Sequence, residues 1–449
     1  IMPKVLLINA IDKSLLLAEQ PPFAFPVLNI ITVAALFPPE WEVEVIDEAI
    51  EAVNLDTDAN LVGISTLTLD ATHAYQLADH FRHRKMPVLM GGMHPTAMPE
   101  EALQHADAVV VGESEEIFDR ILSDFKAGRM KGTYRSERLP DLHQLPRPRY
   151  NLLRPKHRSI LHSVQATRGC PHDCEFCSVT PFFGHQYRLR PVKEVIADLE
   201  TSFMEARSRT VFFVDDNIGG RAEYAKELFR ALIPLKIKWG SFASVAMTRD
   251  RELMRLASES GCIALFIGFE SLSQANLDAL HKSWVRADQM REYVSIFHDN
   301  GIIVEGAFIF GHDGDYKDIF RKTVDFIQET GIQVPVFGLL TPYPATKLRA
   351  RLEKEGRLLP EGKDWRLYDG SHVLFNPIHM APEELEEGFL WARKYCAAPR
   401  TIFGRMFHAP KAHWLTALGL NFSMRAGRMR QIKERWPRSK GRLIRPGTW

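Results

Sequence analysis

The sequence of 449 residues is poor in cysteine and has no long apolar run. Five cysteines, an odd number in so long a chain, do not make a disulfide framework, and they favour a reducing, cytoplasmic setting. No apolar run approaches the roughly 18 residues of a transmembrane helix, and the first residues lack a signal-peptide pattern. The hydrophobic and charged fractions, 45% and 25%, are ordinary for globular proteins. We therefore expect a cytoplasmic protein of two or three domains.

Net charge is nearly absent, at +1, yet residues 423–449 hold nine Arg or Lys and one Glu. Residues 411–436, which overlap this basic segment, have apolar residues at helical spacing, namely Trp414, Leu418, Phe422, Met429, Ile432 and Trp436. One interpretation is a helix packed on the protein body. The other is an interfacial helix whose basic face makes peripheral contact with an anionic membrane. No RNA-binding module is recognisable, so nucleic acid is not an expected partner.

Short apolar runs alternate with helical patterns in two regions, which predicts two α/β units with parallel sheets. In the first unit, residues 2–135, the predicted strands are 4–10, 42–47, 61–66, 87–92 and 108–113. A linker with four prolines follows at 136–156. In the second unit, residues 157–348, the strands are roughly 162–167, 210–214, 239–245, 263–268, 303–310 and 336–340. Six βα units predict an open, partial barrel rather than a full eight-unit one, and a helical region follows at 349–449.

Three of the five cysteines crowd one turn, in the segment TRGCPHDCEFC. They have the spacing C-x3-C-x2-C and are Cys170, Cys174 and Cys177. A structural zinc site normally needs four ligands, and His172 is the local candidate for the fourth. A 4Fe–4S cluster usually takes four cysteines, so one held by three leaves an iron open, as catalytic metal sites do. Cys262 and Cys396 are remote in sequence and are interpreted as small apolar core residues.

The cysteine loop follows a predicted strand, carries an aromatic residue before its last cysteine, and resembles that of the radical S-adenosylmethionine (SAM) superfamily. The resemblance implies a 4Fe–4S cluster whose open iron binds SAM. It also implies an external electron donor of the flavodoxin or ferredoxin type. One electron then cleaves SAM to methionine and a 5′-deoxyadenosyl radical.

Later segments resemble the SAM-binding segments of that superfamily in the same order: FFVDDN, IGFES and EGAFIFGHDGD. The residues implied in SAM binding are Phe176, Asp215, Asp216, Asn217, Ser244, Glu270, Gly306 and Phe308. Helix capping is the alternative role for the two aspartates and the asparagine. Arg188 and Arg190 lie in GHQYRLRP, which resembles the segment after the cysteine loop; they either contact carboxylates or are solvated.

Segments of the first unit, including PPFAFPVLNIITVAALFPP and VVVGESEEIF, resemble the cobalamin-binding domain of one radical SAM branch. The resemblance implies a Rossmann-like, doubly wound domain that binds cobalamin at the carboxyl edge of its sheet. The implied contacts are Ser65, Thr66, Gly91, Gly92, His94, Gly112 and Glu113. The alternatives are a surface position for His94 and a simple tight turn for the glycine pair. The Asp-x-His-x-x-Gly motif, which supplies a cobalt ligand in many cobalamin proteins, is absent. This branch commonly lacks the motif, and a domain that had lost cobalamin would look similar.

The most frequent reaction of this branch is methylation of an unactivated carbon, here of a small or lipid-like substrate, by way of the 5′-deoxyadenosyl radical and methylcobalamin. Ring formation, ring contraction or oxidation of a lipid, pigment or natural product is the alternative within the branch. A tRNA methylthiotransferase is disfavoured because residues 1–169 contain no cysteine for a second cluster. A non-catalytic cobalamin sensor would not need the cysteine loop.

Overall fold

A computed structural model of the chain describes residues 2–15, 27–143, 145–153, 162–205, 208–408 and 410–435. Part of the segment PPFAFPVLNIITVAALFPP, the end of the proline-rich linker, and Trp436 lie outside the described residues.

The amino-terminal unit is a six-stranded parallel sheet with helices on its faces. Its strands are β1 Lys4–Asn9, β2 Glu42–Asp47, β3 Leu61–Ser65, β4 Val88–Gly91, β5 Ala108–Val111 and β6 Gly132–Arg135. Its helices are α1 Asn29–Ala34, α2 Ala71–His83, α3 Met93–Ala97, α4 Pro99–His105 and α5 Phe118–Lys126. The strand order is β2-β1-β3-β4-β5-β6, which is doubly wound with its reversal beside β1. Five strands coincide with the predicted ones; β6 was not predicted, because its sequence GTYR carries no apolar run.

The second unit is an open sheet of six parallel strands, in the order β14-β13-β12-β11-β10-β7. These strands are β7 His162–Val164, β10 Thr210–Phe213, β11 Lys238–Ala243, β12 Cys262–Glu270, β13 Ile303–Phe310 and β14 Val334–Leu339. A two-stranded antiparallel ribbon, β8 Thr167–Arg168 with β9 Arg188–Leu189, brackets the cysteine loop. The sheet is therefore the predicted partial barrel, with β7 and β14 as its edges.

Helices follow most barrel strands and fill the carboxyl-terminal region. They are α6 Val179–Phe183, α7 Val192–Met204, α8 Ala222–Leu232, α9 Arg251–Glu259, α10 Gln274–Ala279, α11 Met290–Asp299, α12 Ile319–Thr330, α13 Lys347–Lys354, α14 Pro382–Cys396, α15 Pro399–Met406 and α16 Trp414–Arg435. Within the described part of the chain, no helix has both the length and the hydropathy needed to cross a bilayer.

The two faces of the amino-terminal sheet belong to two different apolar clusters, which connect the sheet to the rest of the protein. Val5 and Leu7 belong to an apolar cluster that continues into the barrel, whereas Leu6 and Ile8 face a second cluster on the other side. Such alternation is expected because side chains along a strand point to opposite faces. The second cluster also contains Tyr368, so the carboxyl-terminal region returns to pack on the first unit.

Helix α16 is tied to the barrel by buried polar groups. The fully buried Arg405 donates to the carbonyls of Gln333 (3.1 Å) and Cys396 (2.8 Å) and to the side-chain oxygen of Asn421. Arg428 donates to the Pro335 carbonyl at 2.8 Å. The apolar side of α16 packs against the barrel strands, because Ala417 shares a buried cluster with residues of β13 and β14. The described part of the tail thus agrees with the interpretation of a packed helix.

Replacing Arg405 tests this anchor. We expect Arg405→Met to lower the free energy of unfolding by roughly 3 kcal/mol, because the buried Cys396 carbonyl loses its donor. Urea unfolding followed by circular dichroism measures the change. The control is Arg400→Met on the same helix, where the side chain is exposed and a change within about 0.5 kcal/mol is expected. Equal stabilities for the two variants would contradict the anchoring role.

Candidate active site

The cysteine loop is held in place from the end of the neighbouring strand β10. Asp215 is fully buried, and its carboxylate accepts the Ala166 N–H (3.1 Å) and the Thr167 hydroxyl (2.6 Å). Burial raises the pKa of Asp215 to about 7. Gly169, at φ 83°, passes so close to the Gln186 carbonyl that a Cβ would lie 2.5 Å from its oxygen. Glycine is therefore required one residue before the first cysteine of the loop.

The three thiols of the loop are close enough to influence one another electrostatically. Burial raises the pKa of Cys174 to about 12 and that of Cys177 to about 11, and it also raises the pKa of Cys170. Metal ligation requires thiolates, so binding of a metal centre here would release the thiol protons. Among the described residues, no three of His, Cys, Asp and Glu are arranged around a single metal ion. A 4Fe–4S cluster does not need that arrangement, because each cysteine binds a different iron.

The loop is also braced from the helical side. Arg351 of α13 donates to Glu175 at 2.6 Å and to Asp313 at 2.7 Å. The Glu175 N–H reaches the Leu280 carbonyl (3.2 Å). Phe176, the aromatic residue of the motif, is half-buried against the main apolar core. These contacts fix the backbone between the second and third cysteines.

Asp216 and Asn217 lie beside the thiols. Burial raises the pKa of Asp216 to about 6, and its carboxylate accepts a hydrogen bond from the Gly169 backbone. The Asn217 side chain hydrogen-bonds with Cys170, while its buried Oδ1 has no partner among the described groups. An unpaired buried acceptor is costly and fits a ligand that brings a donor. Neither residue caps α8, whose N-cap position is Arg221.

Glu270 and Lys282 form a buried ion pair on the same side as the thiols. Lys282 Nζ lies 2.6 Å from the Glu270 carboxylate and donates to the Gly268 carbonyl at 2.8 Å. Glu270 has φ 62° where the β12–β13 register shifts, an uncommon conformation for a residue with a side chain. Burial opposes the charge of Lys282, but Glu270 and the thiols together raise its pKa. The bulge thus turns a carboxylate, with its paired ammonium group, towards the cysteines.

Among the other predicted SAM contacts, Gly306 and Phe308 lie among apolar side chains, and Ser244 lies at the start of a turn. A Cβ on Gly306 would meet Ile332 at 2.9 Å and Phe269 at 3.3 Å. Phe308 stacks on Phe269 with ring centroids 5.5 Å apart. Both positions therefore face the apolar layer on the opposite side of the sheet from Glu270. Ser244 accepts the Ala246 N–H at 3.3 Å and begins a 3-10 turn.

His172 is the local alternative zinc ligand, and its ring stacks on Trp284 at a centroid distance of 3.7 Å. Burial lowers the pKa of His172 to about 4.

Arg190 binds Asp198 at 2.7 Å, so it does contact a carboxylate, but one of the protein itself. Cys262 and Cys396 are both buried, as expected for core residues.

A cavity of about 400 Å³, the interdomain cavity, opens between the two units. One part of it is apolar and runs along the amino-terminal sheet, where it is lined by Val5, Leu7, Leu61, Leu89, Val110 and Phe118. The other part, called here the mouth, is more polar and includes the predicted residues Ser65, Gly91, Gly92, Gly112 and Glu113. The barrel contributes Gln165, Arg168, Phe182, Phe183 and Val214. An apolar part with a polar mouth can receive a portion of a large amphipathic cofactor such as cobalamin.

Gly92 shows why the mouth needs glycine. It has φ 100°, and a Cβ would lie 2.8 Å from the Thr66 carbonyl oxygen and 3.1 Å from Ser65 Oγ. Any side chain would collide with the loop after β3. The two loops can therefore approach each other at the carboxyl edge of the sheet, where ligands bind.

Two of the predicted cobalamin contacts do not line this cavity. His94 is fully buried; its Nε2 lies 3.0 Å from the Tyr75 hydroxyl and 3.5 Å from Glu101. Its ring also packs edge-on against Trp365, with centroids 4.9 Å apart. Thr66 is buried and donates its hydroxyl to the Leu67 carbonyl. A surface position for His94, the alternative considered above, is wrong.

Buried ion pairs cross the interdomain cavity at its mouth. Arg168 Nη1 lies 2.5 Å from both Glu113 and Glu115. Arg188 binds the second oxygen of Glu113 and also donates to the Pro140 carbonyl at 3.1 Å. The glutamates follow β5 of the first unit and the arginines belong to the β8–β9 ribbon. The ribbon that brackets the cysteine loop is therefore bonded directly to the edge of the amino-terminal sheet.

Several of these residues were not predicted from the sequence. Lys282 lies twelve positions after Glu270 and belongs to no motif considered above. Arg168 belongs to the cysteine segment, but nothing local shows that its partner is Glu113. Pairing of positions so far apart in sequence is a property of tertiary structure, although an unpaired buried acid at a strand end is itself a reason to look for a cation.

The two parallel sheets, the cysteine loop and the interdomain cavity define a two-domain α/β protein of the Rossmann-like domain plus partial-barrel class. Residues 20–122 match the B12 binding domain family, and residues 164–327 match the radical SAM superfamily. The chain is 31% identical over 415 residues to bacteriochlorophyllide d C-12(1)-methyltransferase of Chlorobaculum tepidum, an alignment covering 91% of this chain and 90% of that one. The chain therefore belongs to the radical SAM superfamily, in the branch that joins a B12-binding domain to the radical SAM domain. Its cofactors are accordingly a 4Fe–4S cluster, SAM and cobalamin.

Two further relatives extend the comparison. The chain is 27% identical to the hopanoid C-2 methylase of Rhodopseudomonas palustris, over 74% of this chain and 65% of that one. The structure of the radical SAM methyltransferase TsrM from Kitasatospora setae superposes with a TM-score of 0.67 at 16% identity, covering 97% of this chain and all of that one. The latter likeness shows that the fold is shared.

The ion pairs at the cavity mouth can be tested with Glu113→Gln. We expect the free energy of unfolding to fall by about 3 kcal/mol, because two buried guanidinium groups lose a shared charged partner. Urea unfolding without cobalamin measures this directly, and equilibrium dialysis should show weaker cobalamin binding. Glu116→Gln, three residues along and exposed, is the matched control and should change neither quantity. The interdomain role fails if Glu113→Gln behaves like this control.

Proposed function

We propose that the protein methylates an unactivated carbon of an apolar substrate. The observation that carries the proposal is the direct connection between the cysteine loop and the interdomain cavity. Arg168, two residues before Cys170, binds Glu113 at the cavity mouth, and Phe182, five residues after Cys177, lines the same cavity. Groups held by the loop and by the cavity would therefore act on one substrate from adjacent positions.

When bound, the cluster with SAM supplies a 5′-deoxyadenosyl radical and cobalamin supplies a methyl group. The residues of this chain hold and orient these groups. Cys170, Cys174 and Cys177 would bind the cluster, and Asn217 Oδ1, a buried acceptor, would receive a donor from SAM. Lys282, in its pair with Glu270, places positive charge beside the thiolates, which favours their ionised form.

The apolar class of substrate rests on two observations. The relatives named above act on a bacteriochlorophyllide and on a hopanoid, both with large hydrocarbon portions. The mouth of the interdomain cavity on the barrel side is lined in part by Phe182, Phe183 and Val214. These side chains exclude water from the place where a carbon radical would form, which protects it from side reactions.

A labelling experiment tests the reaction. The reconstituted protein, reduced anaerobically, is incubated with SAM carrying a CD3 group and a lipid and pigment extract of the source cells. We expect 5′-deoxyadenosine, S-adenosylhomocysteine and an apolar product that carries the CD3 group, all detected by mass spectrometry. Production of 5′-deoxyadenosine with no CD3 in any apolar product would contradict methylation.

Cysteine variants provide the control for that experiment. Cys174→Ala should reduce 5′-deoxyadenosine to background, because the cluster loses a ligand. Cys262→Ala removes a buried thiol outside the loop and should keep most of the activity.

A peripheral membrane contact is a second proposal, favoured by an exposed apolar surface on α15 and α16. Phe407 is 81% exposed and Leu415 is 83% exposed, and Phe403 and Phe422 are partly exposed, with rings 6.1 Å apart. The basic segment 423–449 follows directly in sequence. Apolar side chains beside positive charge suit the surface of an anionic bilayer.

Vesicle sedimentation tests this contact. We expect the protein to sediment with phosphatidylglycerol vesicles and not with phosphatidylcholine vesicles, and to be released by high salt. The double variant Phe407→Asp/Leu415→Asp should bind at least about tenfold more weakly, whereas Ile378→Asp, at an exposed apolar position elsewhere, should bind normally. Normal binding by the double variant would refute the proposed surface.

A further inference from the structure

A second cavity, of about 260 Å³ and called here the apolar cavity, lies beside the first. Four segments enclose it: the loop after β3 with Leu67, helix α3 with Met93, helix α6 with Phe182, and the region after β14 with Tyr343 and Tyr368. Each segment follows the carboxyl end of a parallel strand or the cysteine loop. Such ends are where α/β sheets bind their ligands.

The apolar cavity adjoins both parts of the reaction site. Phe182 lines it on one side and the interdomain cavity on the other. Ser178, another lining residue, directly follows Cys177. A molecule seated in this cavity would therefore have one end beside the cysteine loop and the cobalamin domain.

The lining has a consistent chemistry. None of its described residues carries a charge, and most are aliphatic or aromatic. The polar groups of the tyrosines are already engaged, since the Tyr343 hydroxyl donates to the Tyr368 carbonyl (3.1 Å) and the Tyr368 hydroxyl donates to the Gly362 carbonyl (2.7 Å). Leu67 remains 51% exposed although it follows a buried strand. Apolar contact is therefore the main interaction offered to a ligand.

We infer that the apolar cavity binds the uncharged ring portion of the substrate and presents the carbon to be modified at its Phe182 end. This inference rests on the proposed function for the meaning of substrate, but not for the binding itself. A tetrapyrrole ring and a polycyclic hydrocarbon share the required chemistry, a broad apolar surface. A charged or strongly polar substrate portion would lose its hydration here without compensation.

Binding is measured on the full chain with cluster and cobalamin loaded and without SAM, so that no turnover is needed. The probes are pheophorbide a, followed by its absorption, and diploptene, followed by mass spectrometry of the hydrocarbon that co-elutes with the protein in gel filtration. We expect saturable one-site binding of at least one probe. Leu67→Asp should weaken it at least about tenfold, because a carboxylate is placed in the apolar cavity.

Two variants make the result decisive. Leu55→Asp adds the same charge at an exposed leucine of the same domain and should bind like the natural protein. Ala97→Phe fills the apolar cavity from α3 and should also weaken binding; it decides the matter if Leu67→Asp does not fold. The inference is overturned if neither probe binds, if both cavity variants bind normally, or if Leu55→Asp weakens binding equally. Probe binding without any CD3 product in the labelling experiment would refute methylation and leave the cavity assignment standing.

Discussion

The contact between Glu113 and the two arginines Arg168 and Arg188 is the constraint on which the site depends. It is buried, and it joins the carboxyl edge of one sheet to the ribbon around the cysteine loop. Buried ion pairs add little net stability compared with apolar packing, but leaving one member unpaired is costly. Such a contact therefore favours one relative placement of the two domains, and with it the distance between their cofactors.

Inside the barrel, the same principle fixes the loop itself. The Asp215 carboxylate accepts hydrogen bonds from the turn before the cysteines. The Lys282 ammonium group is bound by the Glu270 carboxylate and by a backbone carbonyl. Asn217 Oδ1, beside the thiols, is by contrast a buried acceptor without a partner among the described groups. The loop is thus positioned before any cofactor arrives, which lowers the cost of ordering it on binding. Beyond it, the two cavities share Phe182 as a common wall, so one short helix separates the cofactor space from the proposed substrate space.

The strands were predictable because parallel strands buried on both faces read as short continuous apolar runs. Strand β6 escaped detection because an edge strand can be short and polar. The site residues differed in how far the sequence predicted them. The Cys170 loop is local in sequence, so its spacing alone indicates its chemistry. Gly306 and Phe308 lie on β13 among apolar side chains, and their contact with SAM stays a prediction. His94 was predicted as a cobalamin contact, with a surface position as the alternative; the surface position is wrong, because Tyr75 and Trp365, distant in sequence, enclose its ring.

By itself, the sequence determined the two α/β units, the cysteine triplet and the family, because these depend on local periodicity and on the spacing of a few residues. Tertiary structure alone decided which polar groups meet, how the carboxyl-terminal region returns to the first domain, and where apolar space remains open. Such features arise from pairs far apart in the chain, as Glu113 with Arg168 and Glu101 with Trp365 illustrate. Packing and desolvation determine which distant residues pair, and neither effect produces a recognisable pattern in the sequence.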